Sequence, residues 1–98
     1  MATITIVAPQ TAAAANQTLL TENYDAIVLH ADALAGVEEV LVFIAGGAQR
    51  VAYPGPGSAQ ARLSATTLAI TLPAGPCYLI DKPATASPCG VYASVAPR

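Results

Sequence analysis

Chemistry in a chain of this kind would have to come from a short list of side chains. His30 is the one histidine, and Ser58, Ser64, Ser87 and Ser94 are the serines. A hydrolase sets a nucleophile beside a base and orients that base with a third group. No serine sits in Gly-x-Ser-x-Gly, and nothing near Cys77 or Cys89 in sequence supplies a base. His30 reads as a structural histidine on a strand, sharing a face with Tyr24 and Val28, and the cysteines read as structural thiols. One histidine and no Cys-x-x-Cys leave a zinc site short of ligands. Glu38 and Glu39 are neighbours on an expected strand and point to opposite faces, so they do not chelate together. Asp25 and Asp32 read as surface carboxylates. Gly46-Gly47 and Gly55-Pro56-Gly57 lack the surroundings of a phosphate-binding loop and read as turns. Tyr24, Tyr53, Tyr78 and Tyr92 could stack on sugar rings, but they are scattered along the chain. No catalytic residue, metal or cofactor is expected.

These residues must be positioned by a chain of 98 residues, a length that fits one domain spanning 1–98. Hydrophobic residues make up 54% and charged residues 10%, against about 25% charged in ordinary globular chains. Disorder is disfavoured by that composition. Four Lys+Arg against six Asp+Glu give a net charge of −2, which offers nucleic acid no basic patch. The longest apolar stretch, Val40 to Ala48, is interrupted by Gly46-Gly47 and is far short of the ~20 residues of a spanning helix. The first eight residues lack the basic and apolar regions of a signal peptide, so the expectation is cytoplasmic synthesis with reduced thiols. A hairpin pairing Ile80 with Cys89 would also set Cys77 opposite Tyr92, too far from Cys89 for a bridge.

Strands dominate the reading. Thr3-Ile4-Thr5-Ile6-Val7 alternates with period two. The alanine-rich Thr11 to Gln17 is too short for a helix and reads as a loop or single turn. Strands are expected at 24–30, 38–45, 49–53, 61–64, 67–72, 77–80 and 90–95, with a hairpin at Gly46-Gly47 and loops at Pro54–Ser58 and Asp81–Cys89. The run at Val40–Ile44 reads as central and buried on both faces. The expected core is Ile27, Leu29, Val40, Val42, Phe43, Leu63, Leu68, Ile70, Leu79 and Val91. About seven to eight short strands with turns every ~8–12 residues indicate an all-β fold. Two layers are needed to cover the apolar faces, so the expectation is a single small antiparallel β-sandwich, Ig-like or jelly-roll-like.

Certain segments have a familiar order: Ala35-Gly36-Val37-Glu38-Glu39-Val40-Leu41-Val42, then Leu63-Ser64-Ala65-Thr66 before Leu68-Ala69-Ile70, then Pro73-Ala74-Gly75-Pro76-Cys77-Tyr78 and Gly90-Val91-Tyr92. Across residues 24–95 this order resembles small virion proteins of tailed bacteriophages. The chain departs from the pattern by one extra residue before Tyr78 and by Arg50-Val51-Ala52 where an aromatic is common. The resemblance implies a non-enzymatic β-sandwich that decorates or cements the capsid, and no catalytic residues.

The resulting expectation is a capsid decoration or cement protein on the virion surface, assembled in the host bacterial cytoplasm. Its partners would be the major capsid protein, copies of itself, or both, with no nucleic acid and no membrane, and it would be oligomeric or lattice-bound. The expected contact residues are Thr3, Ile4, Thr5 and Ile6, on an extended N-terminal arm within residues 1–17, and Tyr53, Pro54 and Pro56. A carbohydrate- or receptor-binding module of a phage tail or bacterial surface is the alternative, and a small hydrolase the third.

Overall fold

The computed structural model describes residues 2–47, 49–54 and 59–98. Nine strands form among them: β1 (Ala2–Gln10), β2 (Ala14–Leu20), β3 (Tyr24–Ala31), β4 (Glu39–Gly46), β5 (Gln49–Ala52), β6 (Arg62–Ser64), β7 (Ala69–Leu72), β8 (Cys77–Lys82) and β9 (Cys89–Pro97). They make two stacked antiparallel sheets. One, sheet A, has the order β1-β9-β3-β7, and the other, sheet B, has β2-β8-β4-β5, with β6 also paired to β4. This is the expected β-sandwich.

The winding follows from which strands meet. β1 pairs with β9, β2 with β8, β3 with β7, and β4 with both β5 and β6. First with last, second with next to last, and so inward describes one long hairpin rolled into two layers, which is jelly-roll winding. β5 and β6 lie end to end along the same side of β4 and act as one interrupted edge strand. Gly46 opposes Gln49 at the tip of the β4–β5 hairpin, and Gly47 there has φ +67°, a conformation glycine adopts without a Cβ penalty.

The core lies between the sheets. Ile27, Leu29, Val40, Val42, Leu63 and Val91 are fully buried, as expected. Each contributes about 1.5–3 kcal/mol by leaving water. Leu68 is instead 43% exposed and precedes β7, while Ile70 is half-buried. In β8 the inward residues are Tyr78 and Ile80, and Leu79 faces outward. All four residues from Cys77 to Ile80 are apolar, so period two cannot choose a face there.

Three other expectations are corrected. Residues 14–17, expected in a loop or single turn, open β2. Its ladder with β8 and the burial of Leu19 override the weak strand preference of the alanines. The expected extended arm within residues 1–17 is built into the sandwich, because β1 pairs with the chain's own β9 from Ala2 to Gln10. β8 and β9 are not a hairpin, because they belong to different sheets.

Phe43 also leaves the expected core. β4 is central in sheet B, yet Phe43 faces outward opposite Leu79 and is covered by a side chain instead of a second layer. The Arg50 guanidinium lies 3.9 Å from the centre of its ring. Arg50 continues across the sheet to Asp81 at 2.5 Å and donates to the Asn16 side-chain carbonyl at 2.9 Å. The Asp81 carboxylate also accepts the Asn16 backbone N–H at 2.8 Å. One arginine therefore straps β5, β4, β8 and β2 together. Arg50→Ala should cost about 1–2 kcal/mol in urea denaturation, the sum of a half-exposed cation–π contact and ion pair. Arg50→Lys should recover only part of this, lacking the planar fork.

Candidate interaction surfaces

The expected contact residues lie on opposite flanks. Thr3, Ile4, Thr5 and Ile6 are on β1, at one edge of sheet A. Thr3 and Thr5 are exposed, and Ile4 and Ile6 pack partly against the core. Tyr53 and Pro54 follow β5 at the far edge of sheet B. The structure does not bring the two groups together. Pro56 and the rest of the loop at 55–58 lie outside the described residues.

At Tyr53 the chain leaves the sheet edge, and it returns at Ala61. The departure is closed by backbone bonds: Ala61 N–H to Tyr53 C=O at 2.8 Å, Tyr53 N–H to Val42 C=O at 3.0 Å, and Val42 N–H to Ala61 C=O at 3.1 Å. Pro54 and Gln60 form a further bridge. Beside this neck lies a cleft of about 660 Å³ between the two sheet edges, lined by Tyr53, Pro54, Gln60, Ile70, Leu72 and Arg62. Tyr53 meets the buried Tyr78 edge-on at 5.4 Å. Among the described residues lining the cleft, Arg62 is the only charged one, and it is already paired with Glu39 at 3.2 Å. The lining suits an apolar protein surface and offers no acid–base pair.

The outer face of sheet A is different. Register sets out two rows across it, Thr5–Tyr92–His30–Ala69 and Thr3–Ser94–Val28–Thr71, with no charged side chain in either. Here sequence-distant candidates do meet. His30 Nε2 is 3.0 Å from Ser94 Oγ, and the His30 and Tyr92 rings lie 5.6 Å apart. The Tyr92 ring lies over Gly90, where a Cβ would fall 2.2 Å from its hydroxyl. Serine beside histidine is the start of a nucleophile–base pair. Acyl transfer also needs free N–H donors for the oxyanion. β9 is hydrogen-bonded on both edges, to β1 and β3, so Ser94 sits where the ladders already use the backbone. Among the described residues no carboxylate hydrogen-bonds the His30 ring. The pair acts as a cross-strand polar contact.

The other candidates are engaged separately. Glu38 accepts the Ala35 N–H with one oxygen and the Ala86 N–H with the other, both at 2.9 Å. Asp32 accepts the Gly90 N–H at 2.7 Å, and Asp25 is 3.5 Å from Arg98. No group of three or more metal-ligating side chains forms among the described residues. Cys77 and Cys89 are free thiols. Burial pushes the Cys89 thiol up, with Lys82 partly opposing.

Sequence reasoning missed one site. Lys82, expected in a loop, ends β8 and is only 2% exposed. Its ammonium donates to Ala12 C=O at 2.8 Å, Pro83 C=O at 2.9 Å and Thr85 Oγ1 at 3.3 Å. Backbone carbonyls leave no signature in sequence, so nothing in the chain announced this. The chain matches no family model, no curated protein and no solved structure.

Proposed function

We propose that this chain is a non-enzymatic virion structural protein, a capsid decoration or cement protein that binds and stabilises a major capsid shell. The observation that carries the reading is how the charge is used. Three ion pairs take six of the ten charged side chains. Lys82 is buried, and Asp32 and Glu38 bond backbone N–H groups. Among the described residues only Glu22 stands outside these contacts. A surface with so little free charge suits a protein covered by other protein, and jelly rolls are common in viral capsids. Fold alone does not assign function; the charge pattern and the resemblance at residues 24–95 are what support this reading. In this reading the flank at Tyr53 and Pro54, with its apolar cleft, faces the shell. Many weak contacts on one lattice then add as avidity. Assembly takes place in the host bacterial cytoplasm.

A sugar-binding module needs an aromatic platform. Tyr78 is buried, Tyr53 lines the cleft, Tyr24 packs against the core and Tyr92 lies on the outer face of sheet A. That dispersal favours the shell-binding reading. Purified particles of the virus encoding the chain should contain it at a fixed ratio to the major capsid protein. Pro54→Asp, at an exposed site, should lower that ratio at least tenfold without changing the melting temperature. Absence from particles, or an amount that merely follows expression level, would overturn the reading.

A further inference from the structure

We draw no further inference here: the strongest candidate, the cleft of about 660 Å³ between β7 and the interrupted β5–β6 edge, belongs to the flank already proposed to face the shell, and nothing in the structure shows what else covers it.

Discussion

Lys82→Met should destabilise the domain by about 3 kcal/mol, lowering its melting temperature by about 12–24 °C. Methionine keeps most of the side-chain volume and removes only the ammonium, so the loss is electrostatic and not a cavity. Wild-type Lys82 joins two segments far apart in sequence, the β1–β2 connection at Ala12 and the β8–β9 loop at Pro83 and Thr85. Around it Thr85 N–H donates to Thr11 C=O at 2.9 Å, and Thr85 Oγ1 lies 2.8 Å from Ser87 C=O. Without the ammonium two carbonyls lose a charged donor, each worth about 1.5–3 kcal/mol. Part of this is offset because a buried ion no longer needs to be desolvated. Guanidinium or thermal denaturation reads the outcome. An unchanged or higher midpoint would mean that the ammonium is a net burden that the corner could do without.

The second large effect is at Tyr78, fully buried with its hydroxyl donating to Pro73 C=O at 2.7 Å. Tyr78→Ala should cost about 3–5 kcal/mol through the cavity it leaves. Tyr78→Phe should cost about 1–2 kcal/mol by orphaning the Pro73 carbonyl. Burial also holds the phenol well above its ordinary 10.0, with Tyr53 adding to the rise, and holds the Cys89 thiol above its ordinary 9.0. Both folded groups keep their protons where the unfolded chain releases them. Their contribution is full below pH 9 and falls as pH rises, by about 1.4 kcal/mol per pH unit for each group once its unfolded value is passed. Urea midpoints from pH 7 to 11 should decline from about pH 9 and more steeply above 10. Tyr78→Phe should remove the steeper part, and a flat profile would contradict the burial argument.

These two residues also mark the limits of reading the chain as sequence. Strands whose faces differ in polarity were legible: Ile27 and Leu29 alternate with His30 and Val28, and Gly46-Gly47 marks the hairpin between β4 and β5. Segments made only of apolar or only of small residues were not. Tyr78 sits in a run where every neighbour is apolar, so which face turns inward is decided by pairing with β2 and β4. Ala14 and Ala15 have no strand preference of their own and become strand because β8 needs a neighbour. Phe43 reads as core, and only the structure shows Arg50 reaching across to cover it. Of the expected contact residues, Thr3, Thr5 and Pro54 are exposed, whereas Ile4, Ile6 and Tyr53 pack partly against the core. That they occupy opposite flanks depends on the strand order of the two sheets, and His30 meets Ser94 across 64 positions of sequence.

The neck at Tyr53 and Ala61 bears on how the protein can change over time. Because the chain departs from the sheet edge and rejoins it through the backbone bonds that join Tyr53, Val42 and Ala61, the ladder on either side does not register how much chain lies between. Doubling the length of such a closed segment costs only about 0.6 kcal/mol. The position is thus a port at which lineages can exchange, lengthen or decorate a segment next to the cleft while the rolled hairpin stays intact. Length can change there without renegotiating the fold.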